Sequence, residues 1–273
     1  VNARAKDKKM NEYETITLDA TRAGIAILTL NRPEKRNAFN SIVIEELTDA
    51  LETLGDQDAL RLVILRGNGK VFSAGADLEW MKAAQGWTQA ENEADAVKLA
   101  EMLRKLAELP QMTLALVQGA AMGGGAGLVA ACDVAVAMKG TKFCFSEVKL
   151  GLTPATISPF VISAIGPRWA KALFVTAEVF DAGFAEKIGL VQYTVDDMTA
   201  MAEMEEYLAD LALGGAPGAI RDAKDLVLDL AGEPFSDSLS HETAKRIAAR
   251  RVSDEGKEGL AAFLEKRKPK WAE

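Results

Sequence analysis

Three stretches of this 273-residue chain combine residue types and spacing that suit chemistry on a polarised carbonyl or a phosphate. In Phe72-Ser73-Ala74-Gly75-Ala76-Asp77-Leu78, small residues and a glycine let backbone N–H groups come close to a ligand. Gly119-Ala120-Ala121-Met122-Gly123-Gly124-Gly125-Ala126-Gly127 reads as a glycine run between a strand and a helix that continues to about Cys132. The first N–H groups of a helix lack an intrahelical acceptor, and the helix dipole adds positive potential there. That end suits an oxyanion or a phosphate. Alone, such a run is equally a tight turn packing a helix on a sheet. It lacks the Gly-Lys-Ser/Thr ending of a phosphate loop and the spacing of a dinucleotide fingerprint. In Phe143-Cys144-Phe145-Ser146-Glu147-Val148-Lys149-Leu150-Gly151-Leu152-Thr153-Pro154, a carboxylate stands in an apolar run. Partial desolvation would lift the pKa of Glu147 toward values useful in proton transfer. The plainer alternative is an edge-strand glutamate facing solvent.

The elements that must carry these stretches alternate. Gly24 to Leu30 is the clearest strand, broken by Asn31-Arg32-Pro33, and Ser41 is placed as the cap of a helix with Ile44, Leu47, Leu51 and Leu54 at helical spacing. Leu62 to Leu65 reads as a short buried strand closed by Gly67-Asn68-Gly69, and a helix follows over about Glu91 to Leu109, stopped by Pro110. Thr113 to Val117 and Asp133 to Ala137 read as further strands. This is an α/β pattern. After about Met198 the chain is almost wholly helical, with breaks at Gly214-Gly215 and Gly232-Glu233-Pro234. The expected division is a basic extension over residues 1–10, a core over 11–198, and a helical region over 199–273. The extension reads as a leader, a tag remnant or a processed segment, and Arg4, Lys6, Lys8 and Lys9 also suit a transit-peptide remnant.

Composition narrows the function classes. Hydrophobic residues at 49% and charged residues at 26% are wrong for disorder, and no apolar run approaches the ~20 residues of a membrane span. A net charge of −8 argues against nucleic acid as the main partner. Cys132 and Cys144 show neither a disulfide framework nor metal-ligand spacing, so reduced thiols in a cytoplasmic protein are expected. The one histidine, His241, lies in a polar helical stretch far from the three segments, which disfavours a Ser-His-Asp hydrolase or a histidine-ligated zinc centre.

Taken together, in this order and spacing, the three segments resemble the crotonase (enoyl-CoA hydratase/isomerase) superfamily, over roughly Tyr13 to Trp271. Leu30-Asn31-Arg32-Pro33 with Asn37-Ala38, Ala182 to Leu190, and the ending Gly259 to Lys268 extend the resemblance. It implies a repeated ββα spiral core with a helical C-terminal trimerisation region, assembled as a homotrimer or a dimer of trimers. It also implies an acyl-CoA substrate, with no separate cofactor and no metal. The thioester oxygen would lie between the backbone N–H groups of Ala76 and Gly124, with Glu147 as the catalytic carboxylate. Ala74, Asp77 and Leu78 belong to the same binding segment; Lys35, Arg36 and Ala38 match positions that contact the nucleotide. Phe263 and Lys266 match positions where a neighbouring subunit reaches the coenzyme.

One departure stands out. Two-glutamate hydratases carry a first glutamate where this chain has Gly127. Either Glu147 handles both protons, with water held by backbone groups or another side chain, or the reaction needs a single base, as in a Δ3,Δ2-enoyl-CoA isomerase. Loss of activity, leaving a non-catalytic acyl-CoA-binding protein, is the third reading. The wording of Ser73 to Lys82 and of Gly151 to Phe160 is similar to bacterial methylglutaconyl-CoA and isohexenylglutaconyl-CoA hydratases. The expectation is therefore hydration of a 2-enoyl-CoA to a 3-hydroxyacyl-CoA, with a branched glutaconyl-type acyl group whose distal carboxylate Lys82 would anchor.

Overall fold

The computed structural model describes residues 13–272, so the extension expected over residues 1–10 lies outside the described residues. The chain enters through an antiparallel hairpin, β1 (Ile16–Asp19) and β2 (Ile25–Leu30), and then winds. Each turn gives one strand to a large outer sheet, one short extended segment to an inner layer, and then helix. In the first turn β2 leads to Phe39 and to α1 (Ser41–Gly55). In the second, β3 (Leu62–Gly67) leads through Ser73 and Ala76 to α2 (Leu78–Ala84) and α3 (Gln89–Ala107). The third runs β4 (Met112–Val117), β5 (Ala120–Met122), α4 (Gly124–Ala131). The fourth runs β6 (Val134–Met138), β7 (Lys142–Cys144), a 3₁₀ turn (Glu147–Leu150) and α5 (Ser158–Thr176). β8 (Phe180–Asp181), α6 (Ala182–Ile188) and β9 (Tyr193–Val195) close the core.

The large sheet has the order β1-β2-β3-β4-β6-β9 and is parallel except for the β1–β2 pair. The small sheet is β5-β7-β8. Isolated bridges Phe39–Ala76 and Ser73–Ala121 continue its line into the earlier turns. This is the ββα spiral expected from the resemblance.

Both faces of the large sheet are covered, which is why its strands read as unbroken apolar runs. In β3, Val63 and Leu65 enter the main core with α1, α3 and α4, whereas Leu62 and Ile64 enter a second core. That second core is closed by Met201, Leu208, Ala209 and Ala212 of α7 (Met198–Gly214), at helical spacing. Fully burying a leucine or isoleucine stabilises by about 1.5–3 kcal/mol, so α7 is integral to the core and not part of an appendage. α8 (Pro217–Leu230) and α9 (Asp237–Val252) bury no side chain fully, and α10 (Asp254–Glu265) buries only Ala262. The helical region expected over 199–273 therefore divides after α7.

Local signals set the boundaries. The cap of α1 is Asn40, whose side chain accepts from Val43 N; Ser41, expected as the cap, is the first helical residue. α3 starts two residues before the expected Glu91 because Thr88 and Glu91 form a reciprocal capping box.

Candidate active site

The segment after β3 and the segment after β4 lie side by side. Ser73 N donates to Ala120 O and Met122 N donates to Ser73 O, a parallel bridge with Ser73 opposite Ala121. Carrying that register forward three residues sets Ala76 opposite Gly124. Gly75 is needed at the crossing: its φ is +88°, and a Cβ there would lie 2.9 Å from Met122 O. Gly124 is the first residue of α4, so its N–H has no intrahelical acceptor. Among the described residues neither Ala76 N nor Gly124 N donates to a protein acceptor, whereas flanking Ala74, Gly75, Asp77 and Gly123 N–H groups do. Two free donors therefore stand together at one wall of a cavity.

A second strip of chain holds this pair in place. Phe39 N donates to Gly75 O, Asp77 N to Phe39 O, and Ala74 N to Arg36 O. Arg32 spans both strips, donating from Nη1 to Ala38 O at 2.7 Å and pairing through Nη2 with Asp77 at 3.0 Å. Burial pushes the Asp77 carboxyl up, but hydrogen bonds from Glu79 N and Arg32 outweigh it and hold the group below its usual range. Removing one partner of such a buried pair costs about 3–5 kcal/mol.

Glu147 opens the 3₁₀ turn after β7, beside the same wall. Its Oε1 lies 3.1 Å from where a Cβ on Gly123 would be, so the glycine leaves room for the carboxylate. Its Oε2 is buried without a hydrogen-bond partner. Burial raises its pKa, and only its own backbone N–H counters that. The edge-strand alternative does not hold: the side chain faces a cavity of about 820 Å³. That space is lined by Ala74, Ala76, Leu78 and Lys82 on one side and by Gly124, Ser146 and Glu147 on another. Its volume falls in the range of small-molecule sites. A carboxyl whose burial favours the protonated form, next to two fixed N–H donors, is equipment that could form and quench an enolate.

Residues 20–273 match the family model of the enoyl-CoA hydratase/isomerases. The chain belongs to that family. The crotonyl-CoA hydratase of Syntrophomonas wolfei is 33% identical over 258 residues, covering 94% of this chain and 97% of its own. The trans-2-decenoyl-[acyl-carrier-protein] isomerase of Streptococcus mutans is 31% identical over 255 residues, covering 91% of this chain and 94% of its own. The crystal structure of an enoyl-CoA hydratase from Shewanella pealeana superposes with a TM-score of 0.91 at 38% identity, covering 95% of this chain and 97% of that one.

Within this family frame, Gly127 acquires a physical cause. A Cβ at Gly127 would lie 2.4 Å from Ile157 Cγ2 and 2.9 Å from Ile157 Cβ. Ile157, the residue before α5, fills the space that a side chain at 127 would need. The glycine at 127 and the isoleucine that ends Pro154-Ala155-Thr156-Ile157 are thus one packing arrangement. Gly127 is buried and does not line the cavity.

The other expected site residues separate by position. Ala74, Ala76, Leu78, Gly124 and Glu147 line the cavity together, and so does Lys82, an exposed α2 side chain without an ion pair among the described residues. Asp77 does not line it; its carboxylate caps α2 and pairs with Arg32, so it shapes the segment and is not free for a ligand. Lys35, Arg36 and Ala38 lie on the bracing strip, outside the cavity lining. Lys35 is exposed with Glu79 at 3.8 Å, and Ala38 is buried. Phe263 and Lys266 end α10, well exposed, and do not line this cavity either. His241 is exposed on α9 and bonded within its own helix to Asp237 O. Residues not singled out in the sequence also line the cavity, among them Trp80, Asn92 and Asp95.

Proposed function

We propose that this chain hydrates a 2-enoyl-CoA thioester to the 3-hydroxyacyl-CoA. The observation that carries this reading is the meeting, in one cavity, of the unengaged Ala76 and Gly124 N–H groups with the Glu147 carboxyl, whose Oε2 is buried without a partner. With the thioester oxygen between the two N–H groups, attack of water at C3 moves charge onto that oxygen. The fixed donors stabilise it most in the transition state, and removing one such donor typically costs about 10²–10³ in rate. Glu147, whose burial favours its protonated form, delivers the proton to C2.

For the acyl group, a branched glutaconyl type is favoured by the wording of Ser73 to Lys82 and Gly151 to Phe160. Lys82 on the cavity wall offers its distal carboxylate a cation. A second reading, double-bond isomerisation by Glu147 alone, is favoured by Gly127, whose place leaves no room for a carboxylate.

A panel of enoyl-CoA thioesters in ¹⁸O-labelled water separates the two. Hydration puts label into a 3-hydroxyacyl product, with kcat/KM higher for glutaconyl-type thioesters than for crotonyl-CoA. Double-bond migration without label incorporation on every thioester would overturn the hydratase reading. Label incorporation with crotonyl-CoA preferred would leave hydration standing and remove the glutaconyl assignment.

A further inference from the structure

Hydration handles two protons, one leaving water and one arriving at C2. Glu147 supplies one group, and Ile157 occupies the space beside Gly127 where a second could have stood. A second carboxylate nevertheless reaches the cavity from a different element. On α3 the buried apolar stripe is Met102, Leu103 and Leu106, continued by half-buried Leu99, and Asp95 stands on the same stripe one turn earlier. That face points inward, and Asp95 lines the cavity there; with Glu147 it is one of two carboxylates among the described lining residues.

Its surroundings are built around it. Trp80 of α2 also lines the cavity, and its indole Nε1 is buried without a well-formed hydrogen bond. The same N–H lies near enough to Asp95 to favour its ionised form. Asn92, one helical turn before Asp95, donates its amide to Ala84 O, Trp87 O and Thr88 O, which ties the start of α3 to the end of α2. Trp80 and Asp95 are thereby held in register. Burial is the larger effect and raises the Asp95 carboxyl overall, with Trp80 and the Lys98 charge opposing it. No comparable donor reaches Glu147, where burial is opposed only by its own backbone N–H. Burial raises both carboxyls of this cavity, and a side-chain donor and a nearby cation favour the ionised form at Asp95 alone, so Asp95 is the one of the pair placed to act as a base.

We infer that Asp95 is the second catalytic carboxylate, the base that takes the proton from the attacking water. This rests on the hydratase reading. The water oxygen bonds to C3 as its proton passes to the Asp95 carboxylate. The C2–C3 π pair shifts toward the thioester, whose oxygen is held by Ala76 and Gly124 N–H, and C2 then takes the proton of Glu147. Transfer of the proton from Asp95 to the Glu147 carboxylate through solvent, after product leaves, restores the starting state. The trace a sequence offers is a carboxylate on the apolar stripe of an amphipathic helix.

Asp95→Asn keeps the shape and removes the base. Two rates are measured on the full-length protein: hydration of a thioester that the wild type turns over, and exchange of the C2 protons of a saturated acyl-CoA in deuterated water. Exchange needs Glu147 and the two N–H donors but no attacking water. The expected result is a hydration rate lower by about 10²-fold or more, exchange close to wild type, and partial recovery in Asp95→Glu. Hydration at the wild-type rate in Asp95→Asn would overturn the assignment alone. Equal loss of both rates would overturn it too, in favour of a structural role. A wild type that hydrates no thioester would remove the hydratase reading together with this one.

Discussion

Burial with one partnerless oxygen disfavours the Glu147 carboxyl as an anion, as the proton donor of the proposed reaction requires. Such a residue is held at a cost to stability. Because its folded-state pKa lies above the ordinary value of 4.5, the contribution of Glu147 is fully present below that value and is lost as pH rises through the folded pKa. Glu147→Gln removes the ionisation, so the variant should melt above the wild type at pH 8, with the gap closing toward pH 4. Thermal melts of both proteins across that range test this; a gap that is constant or widens toward acid would contradict it. At this scale the sequence was informative where a residue broke its local pattern. Glu147 stood out from an apolar run. Asp95 did not, because charged residues are common on helix surfaces and only the helical phase of α3 shows that this one faces inward. The Arg32–Asp77 pair was invisible for another reason: its members are 45 positions apart and meet only through the spiral.

The oxyanion wall is a joint product of two strand-to-helix passages, and the contact between α4 and α5 decides what else can stand beside it. Gly127 and Ile157 are complementary in shape there. Adding a methyl group with Gly127→Ala should cost about 1–3 kcal/mol by overpacking. Gly127→Ala with Ile157→Ala should cost less than the sum of the single changes, since the second makes room for the first. Urea denaturation of the four proteins measures this coupling, and strictly additive losses would contradict the packing account. The same contact means that Gly127→Glu cannot restore a second acid without displacing Ile157. The strands of the outer sheet were legible as apolar runs because both of their faces are covered. β5, β7 and β8 were not, since strands of two or three residues leave no periodicity to detect.

Across the whole molecule, the winding order of the ββα turns brings residues 76, 95, 124 and 147 to one cavity, which local pattern cannot convey. It entered the sequence analysis only through resemblance to a family. The unburied faces of the last helices follow from the same architecture. Val227, Leu228, Phe235, Ile247, Val252, Phe263 and Leu264 are large apolar residues exposed in this region. The homotrimer or dimer of trimers expected from the sequence would cover such faces. Among the described residues no helix is long and apolar enough to cross a membrane. What unites these levels is the proposed reading, a cavity in which Glu147 would move a proton at C2 while the Ala76 and Gly124 N–H groups hold the thioester oxygen. The most direct measurement compares wild type and Glu147→Gln for turnover of the best enoyl-CoA thioester and for binding of the matching saturated acyl-CoA. The expected result is turnover lower by about 10²–10⁴-fold with binding nearly unchanged. Equal turnover in the two proteins, or no turnover in either with binding intact, would contradict it and leave a protein that binds acyl-CoA without acting on it.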